Sequence, residues 1–354
     1  MKKIEAEIVA DSINQQGDRL TSMLLTYPRM IHAEMLTHRV FSRNAASSRA
    51  VPVKKMIESV RNNTFCPIEF QKAHKGMQGS EYFTGQDKED CIKLWLESAE
   101  LALQQAEKMK EKGITKQIIN RILEPYQYYT VLITGTEFKN FFELRCPVYE
   151  TEIGVFKSKR DALISYAEGG VMSNLPTTDL EWLQINKSQA EIHMQALAEA
   201  MWDVYNESTP KELKEGEYHI PFGDNMDEEK LNEIMPEIQP ASLNWYIDKI
   251  NQLKIKISTA RCARLSYMTF DGEIAYEKDL KLHDSLLESQ HMSPFEHCAR
   301  AMTPYEYETF IKGAGDAYMG EEGVVFEYSS AHGWSNNYKG FIQYRYLIEN
   351  DYEQ

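Results

Sequence analysis

A long amphipathic helix is the feature that most constrains how this chain folds. Between about Asp87 and Lys112, apolar residues recur at helical spacing, and Gly113 follows the last turn as a stop signal. The apolar positions are Ile92, Trp95, Leu96, Ala99, Leu103 and Ala106. The pattern predicts one helix across this whole segment.

Strand patterns lie on both sides of this helix in the sequence and predict a fold that contains both helices and sheets. Residues 3–27 predict a hairpin, because apolar and polar residues alternate on either side of a polar turn at 14–18. Residues 126–145 begin aromatic and β-branched and then become helical, and residues 340–347 close the chain with a strand pattern. Further helices are predicted at 188–206 and around 277–290.

The segment that follows the predicted hairpin combines a helix with an ordered loop. Pro28 suits the first turn of a helix, which would run to about Phe41. The stretch from Ser42 to Pro52 is small and polar, lacks apolar periodicity and stops at a proline. We therefore expect a loop there.

Composition places the chain among ordinary globular proteins. Of its 354 residues, 42% are hydrophobic and 26% are charged, which argues against disorder. No apolar run of about 18 residues is present, and the first residues place acids where a signal peptide needs an apolar stretch. We therefore expect a cytoplasmic protein without a membrane span. The odd number of widely spaced cysteines, with no CxxC pair, predicts free thiols that are buried or partly buried.

The charge distribution favours either a small anionic ligand or a basic solvated face. A formal net charge of −15 opposes general nucleic-acid binding, because phosphates would be repelled over most of the surface. One segment, 29–61, departs from this average with seven cations against two acids. The cations are Arg29, Arg39, Arg43, Arg49, Lys54, Lys55 and Arg61, and the acids are Glu34 and Glu58.

The most informative stretch runs from His38 to Arg49 and has the pattern His-Arg-x-x-Ser-x-Asn-x-x-Ser-x-Arg. Small side chains let the backbone approach a ligand, hydroxyl and amide groups form hydrogen bonds with it, and arginine binds phosphate through a bidentate fork. The pattern indicates a phosphate site, with a well-capped surface loop as the alternative.

Three further residues fit either a functional or a structural role. Arg121 precedes Pro125 at the predicted start of a strand, and Arg145 ends a helical run. Arginines in such positions often snorkel or pair with an acid. His297, which ends a Pro-Phe-Glu-His sequence, equally suits a structural histidine.

Histidine spacing argues against a metal site. His32 and His38, and separately His291 and His297, are six residues apart. Six residues turn a helix by about 600°, which leaves such side chains roughly 120° apart. Metal-binding pairs on one helical face are three or four residues apart, so metal-dependent hydrolysis is disfavoured.

Together these elements resemble the flavin-dependent thymidylate synthases, the ThyX family. The family pattern Arg-His-Arg-x-x-Ser-x-Asn-x-x-Ser-x-Arg is similar to residues 37–49, which match six of its seven fixed positions. The Pro-Phe-Glu-His, Asn-Phe-Leu-x-Leu-Arg and Ala-Gln-x-Glu-Ile elements of the family resemble residues 294–297, 140–145 and 188–192. Residues 260–267 are similar to its Ala-Arg-Val-Ser opening. The matches cover roughly a third of the chain.

The order of the elements differs from that of the family, which indicates a circular permutation. Pro-Phe-Glu-His comes first in the family and near the C-terminal end here. Because domain termini often lie close together, permutation predicts that the strand at 340–347 lies beside the hairpin at 3–27. The resemblance implies one permuted domain, 1–354, of α/β (α+β) class, with a mixed sheet, flanking helices and helical or loop insertions. The insertions are expected at 148–187, 207–250 and 304–336, and the prolines and acids of 207–240 predict a surface segment.

The resemblance implies flavin- and folate-dependent one-carbon transfer to C5 of a pyrimidine deoxynucleotide, foremost methylation of dUMP to dTMP. Reduced FAD would deliver hydride, 5,10-methylenetetrahydrofolate would supply the carbon, and NADPH would reduce the flavin again. The site would lie between subunits of a homotetramer and would need no cysteine nucleophile. Two alternatives remain: a variant that acts on dCMP or leaves a hydroxymethyl group, and a non-catalytic nucleotide-binding or assembly protein that kept the fold.

The resemblance also implies roles for single residues. Arg145 matches the arginine that faces the pyrimidine N3/O2 edge, where a fixed positive charge stabilises developing anion. Nucleotide contacts, chiefly to the phosphate, are implied for Ser47, Ser48, Arg49 and Arg121, and Glu34 replaces a glutamine beside the nucleotide. Flavin contacts are implied for His38, Arg39, Asn44, Asn140 and His297.

Four positions depart from the family pattern. Thr37 and Thr136 stand where the family has arginines near the flavin, and each lost charged hydrogen bond is worth about 1.5–3 kcal/mol. Ala45 replaces a glutamate and Ala50 a tyrosine in the nucleotide loop. We therefore expect the nucleotide site to be better preserved than the cofactor site.

Overall fold

The computed structural model has an α+β fold, which confirms the predicted class. It describes residues 3–75, 79, 81–169, 175–235, 242–265, 276–311, 317–320, 323–326 and 332–350. In chain order the strands are β1 (Glu5–Ile13), β2 (Arg19–Pro28), β3 (Ser42–Ala45), β4 (Tyr128–Gly135), β5 (Tyr149–Thr151), β6 (Gly154–Phe156), β7 (Lys211–Glu212), β8 (Tyr218–His219), β9 (Ala299–Ala301), β10 (Ala317–Gly320), β11 (Gly323–Phe326), β12 (Trp334–Ser335), β13 (Tyr338–Lys339) and β14 (Phe341–Gln343).

The helices confirm the main periodic predictions. The predicted helices at 87–112, 188–206 and 277–290 correspond to α3, α8 and α11 in the following set. The α-helices are α1 (His32–Met35), α2 (Val53–Asn62), α3 (Gly85–Glu111), α4 (Lys116–Ile119), α5 (Lys139–Arg145), α6 (Lys159–Gly169), α7 (Asp179–Ile185), α8 (Ile192–Glu207), α9 (Glu228–Glu233), α10 (Leu243–Ala263), α11 (Tyr276–Glu288), α12 (Pro304–Thr309) and α13 (Tyr344–Glu349). Short 3-10 helices lie at Arg29–Ile31, Asn120–Tyr126 and Ser293–Glu296.

A five-stranded sheet in the order β3-β4-β2-β1-β7 forms the centre of the fold. β1 and β2 form the predicted hairpin, in which Ser12 lies opposite Leu20. β4 is antiparallel both to β2 and to β3. The sheet therefore joins the N-terminal hairpin to segments more than a hundred residues further along the chain.

The largest apolar core lies between this sheet and two helices. Met23 and Leu25 of β2, and Val131 and Ile133 of β4, are fully buried in it. From the helices α5 and α8 it receives Phe141, Phe142, Met194, Leu197 and Met201. Removal of this apolar surface from water is the main force that holds the helices against the sheet.

Residues 207–235 contribute a strand and buried side chains to the fold, so this part of the predicted segment is not confined to the surface. Residues 236–241 lie outside the described part of the chain, and the insertion at 207–250 stays a prediction. β8, within this segment, pairs with β9, and β9 pairs with β14 in a three-stranded sheet. Phe222, Met226 and Leu231 are buried in apolar clusters with residues of α10 and other elements. The acids of the segment occupy exposed positions between these single buried residues.

The helix predicted after Pro28 is much shorter than expected. The 3-10 turn Arg29–Ile31 leads into α1, which ends at Met35, so His38 and Arg39 lie in the loop before β3. Ser42–Ala45, predicted as a loop, forms β3 because its backbone pairs with β4.

Two further secondary-structure predictions are wrong. Arg121 lies on the 3-10 helix Asn120–Tyr126 and not at the start of a strand. The C-terminal strand ends at Gln343, and Tyr344–Glu349 continues as α13. The aromatic residues of this segment fit a strand or a helix. Which of the two forms depends on how these side chains are buried in the fold, not on their strand propensity.

Gly340 brings the C-terminal strand against the turn of the N-terminal hairpin. Its carbonyl oxygen accepts a 3.0 Å hydrogen bond from Nδ2 of Asn14. Its φ of +75° and the close approach of Asn14 and Asp18 leave no room for a Cβ, so the position requires glycine. Nζ of Lys339 lies 3.6 Å from Oδ1 of Asp18 at the same contact. The residues just before β14 thus contact the hairpin turn, whereas β14 itself pairs with β9.

All five cysteines are free, as predicted. Cys146, Cys262 and Cys298 are buried, and Cys66 and Cys91 are partly buried. Burial raises the pKa of Cys298 to about 12, which keeps this thiol protonated at neutral pH. None of the described helices is both long and apolar enough to cross a membrane.

A buried polar network links the central sheet to His219 and His297. Ser12 and Ser22 hydrogen-bond the two ring nitrogens of His219 at 2.9 and 2.8 Å. Ser22 also hydrogen-bonds Thr134 at 2.6 Å, and Thr134 hydrogen-bonds Nδ1 of His297 at 2.8 Å. Burial lowers the pKa of each ring to about 3, so both are neutral at neutral pH.

These two histidines should make the protein less stable as the pH falls below about 6.5. The unfolded rings take up protons near 6.5, whereas burial holds the folded pKa near 3, so the unfolded state binds more protons in between. Each ring is expected to cost about 2 kcal/mol of unfolding free energy between pH 7 and pH 5. Urea unfolding of the wild type and of H219Q at the two pH values measures this effect.

The exposed His291 provides the control for this measurement. H219Q should lose about 2 kcal/mol less than the wild type between the two pH values, whereas H291Q should follow the wild type. An equal loss in the wild type and H219Q would contradict a depressed pKa of His219.

Candidate functional site

One hydroxyl group and two guanidinium groups surround one carboxylate oxygen of Glu124. Oγ of Ser48 donates a 3.0 Å hydrogen bond to Oε1 of Glu124. Nη2 of Arg29 and Nη1 of Arg121 each lie 3.6 Å from the same oxygen. We call Arg29, Ser48, Arg121 and Glu124 the Glu124 cluster.

Ser48 reaches this cluster because Asn120 fixes the turn that follows β3. The Asn120 side chain is fully buried and donates hydrogen bonds of 2.6 and 2.9 Å to the carbonyl oxygens of Ser48 and Val51. The backbone N–H of Ala46 donates to the carbonyl of Thr130 at 2.9 Å, which extends the pairing of β3 and β4 toward the turn. The 3-10 helix that carries Asn120 also carries the glutamate and one arginine of the cluster.

Arg29 is the cation that the surrounding structure holds most closely. Its guanidinium lies over the ring of Tyr129, 3.9 Å from the centroid, and its backbone N–H donates to the carbonyl of Gln127 at 3.0 Å. The Arg29 side chain is 19% exposed, against 58% for Arg121. Nη1 of Arg29 is buried and has no hydrogen-bond partner among the described residues. Because a guanidinium offers five donors, Arg29 keeps capacity to bind an anion.

A second group of side chains surrounds Arg145 at the end of α5. Nε of Arg145 donates a 3.0 Å hydrogen bond to Nε2 of His38, and Nη2 donates to Oγ1 of Thr37 at 3.4 Å. His38 packs edge-to-face on Phe141, with 4.7 Å between ring centroids. Because a guanidinium only donates, Nε2 of His38 must accept, and the neutral ring carries its proton on Nδ1. We call Thr37, His38, Arg145 and the adjacent Glu34 the Arg145 cluster.

The charge of Arg43 lowers the pKa of one histidine beside each cluster. Burial lowers the pKa of His38, and the charges of Arg145 and Arg43 lower it further. Burial lowers the pKa of His32 to about 4, with further lowering by Arg29 and Arg43. The Glu124 cluster and the Arg145 cluster are therefore electrostatic neighbours, and the imidazoles between their arginines are neutral.

Glu34 connects the Arg145 cluster to the segment before α8. Burial raises the pKa of Glu34, Glu191 adds to the rise, and Arg145 and His193 oppose it. Glu191 hydrogen-bonds Nδ1 of His193 at 2.5 Å. The charges of Arg145 and Glu191 therefore act on Glu34 in opposite directions.

Several predicted site residues lie outside these two clusters. Ser47, beside Ser48, is partly buried. Nδ2 of Asn44 donates to the carbonyl of Cys262 at 3.2 Å, and its Oδ1 is buried without a hydrogen-bond partner in the described part of the chain. His297 is fully buried. Exposed side chains are those of Arg39, Arg49 and Asn140.

The residues predicted to contact flavin do not form a flavin site within one protomer. His297 is fully buried and bonded to Thr134, and Asn44 donates into the protein interior, whereas Arg39 and Asn140 are exposed. A cofactor site needs side chains that share one accessible concave surface. Nδ1 of His297 is bonded to Thr134, whereas its Nε2 is buried without a hydrogen-bond partner among the described residues, so the flavin contact of His297 stays a prediction.

Glu124 is the residue that the sequence analysis missed, and Arg29 had no defined role there. Glu124 stands three residues after Arg121, a spacing at which an acid and an arginine meet on one helical turn. That spacing was the available signal. Arg29 and Ser48 reach Glu124 only through strand pairing, which no local pattern indicates.

The linings of two cavities among the described residues contain no residue of either cluster. The larger, about 570 Å³, has four side-chain amides in its lining, with Lys187 as its cation. The smaller, about 160 Å³, has two lysines beside three acids: Lys211, Lys254, Asp11, Glu217 and Asp224. Neither lining contains an arginine, so the Glu124 cluster offers the better chemistry for phosphate.

Comparison with known proteins gives only a weak structural likeness. No protein-family model matches the chain, and no curated protein matches its sequence. Two solved structures of the UMP/dUMP methylase PolB from Streptomyces cacaoi, bound with 5-Br UMP and 5-Br dUMP, are similar with TM-scores of 0.38. They are 13% and 12% identical to this chain, and the matches cover 58% of it and 90% and 91% of the PolB chains. Such values assign no function to this protein.

Removal of the Arg145 charge should raise the pKa of His38. R145M keeps the bulk of the side chain but deletes the positive charge that disfavours the protonated ring. NMR titration of the His38 ring should therefore give a higher pKa in R145M than in the wild type, still below the ordinary value because the ring remains buried.

R39M is the matched control, because Arg39 is adjacent in sequence and exposed. It should leave the pKa of His38 at the wild-type value. Identical values in the wild type and R145M would show that Arg145 does not act on His38.

Proposed function

We propose that this protein binds a pyrimidine deoxynucleoside monophosphate and transfers a one-carbon unit to C5 of its base, foremost from dUMP to dTMP. The supporting observation is the convergence of Arg29, Ser48 and Arg121 on one oxygen position, with Arg145 in a neighbouring cluster. Two arginines and a hydroxyl at one point suit a phosphate oxygen.

The two clusters divide the proposed binding between phosphate and base. The Glu124 cluster would hold the phosphate, because Arg29 is firmly placed and keeps an unused donor. Arg145 would face the N3/O2 edge of the pyrimidine, as the family resemblance implies. His38 orients that guanidinium through the Nε–Nε2 hydrogen bond of 3.0 Å. A preorganised cation at this edge stabilises negative charge that develops on the ring during attack through C5.

The cofactor part of the proposal rests on the family resemblance alone. In that family reduced FAD supplies hydride, methylenetetrahydrofolate supplies the carbon and NADPH reduces the flavin. Within one protomer the predicted flavin residues His297, Asn44, Arg39 and Asn140 do not share an accessible surface.

Exposed apolar side chains beside the clusters favour the implied homo-oligomer. Met30, Leu36, Val40 and Leu144 are 44%, 42%, 36% and 55% exposed, and they flank the cluster residues in sequence. Exposed large apolar groups near a functional site often mark a protein interface. A second copy of this chain is therefore proposed as the partner that completes the site.

A non-catalytic nucleotide-binding protein is the second candidate. Thr37 and Thr136 support it, because each is engaged in the protein: Thr37 with Arg145, and Thr136 as acceptor for the backbone N–H of Lys339 at 3.2 Å. Neither position supplies the cation that the family has near its cofactor.

Release of tritium from C5-labelled dUMP, with NADPH, FAD and methylenetetrahydrofolate present, tests the proposed reaction. The wild type should release tritium, and R145A should fall by at least about 100-fold, because the developing charge on the ring loses its fixed partner. R61A is the control and should keep wild-type release, since Arg61 is exposed and pairs with Glu107. Labelled dCMP tests the alternative base.

Three outcomes would count against parts of this proposal. Undiminished release by R145A would remove Arg145 from the mechanism. A colourless protein that binds dUMP, fails to take up FAD and releases no tritium would favour the non-catalytic candidate. Failure to bind dUMP or dCMP at all would exclude both.

A further inference from the structure

We propose that Glu124 is an internal competitor for the phosphate: its carboxylate fills the anion position of the free site and must leave when the ligand binds. This inference rests on the proposed function, because it concerns the same phosphate position. It adds a residue and a mechanism of discrimination that the resemblance to the ThyX family does not assign.

The geometry of one oxygen atom carries this proposal. Oε1 of Glu124 accepts the hydrogen bond from Ser48 at 3.0 Å and lies 3.6 Å from both Arg29 and Arg121. A phosphate oxygen bound by these donors would occupy the position of Oε1. The carboxylate and the phosphate therefore exclude each other by volume as well as by charge.

The charges also favour replacement of the Glu124 carboxylate by the phosphate over binding of both anions at the two arginines. Two arginines neutralise a phosphate dianion, whereas a retained Glu124 would leave the complex with a net negative charge in a partly buried place. Like charges at such short range are strongly unfavourable. The ligand must therefore displace the carboxylate before both guanidinium groups can bind the phosphate.

The surroundings allow the carboxylate to leave without disturbing the cations. Arg29 stays fixed by Tyr129 and by the backbone bond to Gln127. Arg121, which is 58% exposed, can follow either anion. The buried and unpartnered Nη1 of Arg29 shows that the carboxylate leaves donor capacity unused, and a phosphate with more acceptor oxygens can use it.

This exchange would determine which ligands the site accepts. A nucleoside without phosphate gains nothing from the arginines and cannot displace Glu124. A monophosphate must overcome the existing contacts of the carboxylate, so the site binds phosphate less tightly than its arginines alone would allow. Glu124 thereby acts as a specificity-determining residue.

Calorimetric titration of the full-length protein with inorganic phosphate, dUMP and deoxyuridine tests the proposal. E124Q and E124A should bind phosphate and dUMP at least about tenfold more tightly than the wild type, because the competing negative charge is gone. Deoxyuridine should bind all three proteins equally. E107Q is the matched control, since Glu107 also pairs with an arginine, Arg61, at 2.8 Å, and it should match the wild type.

The two substitutions protect the test against a folding defect, because glutamine preserves the shape of the side chain and the hydrogen bond from Ser48. Unchanged or weaker phosphate binding in both variants would overturn the proposal. Tighter phosphate binding without tritium release in any protein would support Glu124 as competitor while the proposed reaction fails. Tritium release without tighter phosphate binding in E124Q and E124A would support the proposed reaction and overturn Glu124 as competitor. Absence of phosphate and dUMP binding in every variant would refute both proposals.

Discussion

The pairing of strand β4 with β2 and β3 is the constraint on which the Glu124 cluster depends. Strand β4 is antiparallel to β2 and β3, and Tyr128 at its start lies opposite Pro28. Arg29 therefore emerges beside the 3-10 helix that precedes β4. Because β3 is antiparallel to β4, the turn after β3 lies near the first residues of β4, at the same end of the sheet as Arg29. Segments up to 95 residues apart in sequence, from Arg29 to Glu124, thus place Arg29, Ser48 and Glu124 together.

Burial and arginine charge act together on the imidazoles near this edge. Both effects keep His32 and His38 neutral at neutral pH. A neutral ring can accept a hydrogen bond from a guanidinium, so His38 orients Arg145 without adding charge. The positive charge of the region consequently resides on arginines, whose protonation does not change near neutral pH. Glu124 neutralises part of that positive charge, and in the proposed function it also determines which anions bind to the Glu124 cluster.

Local periodicity predicts the regular part of the fold, but contacts between distant segments decide the rest. The hairpin and α3 follow from alternation and helical spacing, which are properties of neighbouring residues. Ser42–Ala45 carries no strand pattern, because pairing with β4 imposes its conformation. Residues 207–235 place single buried side chains among exposed acids, which conceals their role in the core. The hydrogen bond between Arg145 and His38, and the contacts of Arg29 and Ser48 with Glu124, are tertiary contacts. They cannot be predicted from the spacing of residues in the sequence.

A crystal structure of the protein with dUMP tests the central claim, the convergence of the arginines on one phosphate position. The account predicts a phosphate within about 4 Å of the guanidinium groups of Arg29 and Arg121, the Glu124 carboxylate turned away, and the pyrimidine edge at Arg145. A nucleotide whose phosphate lies elsewhere, with Glu124 still bound to Ser48, would contradict it.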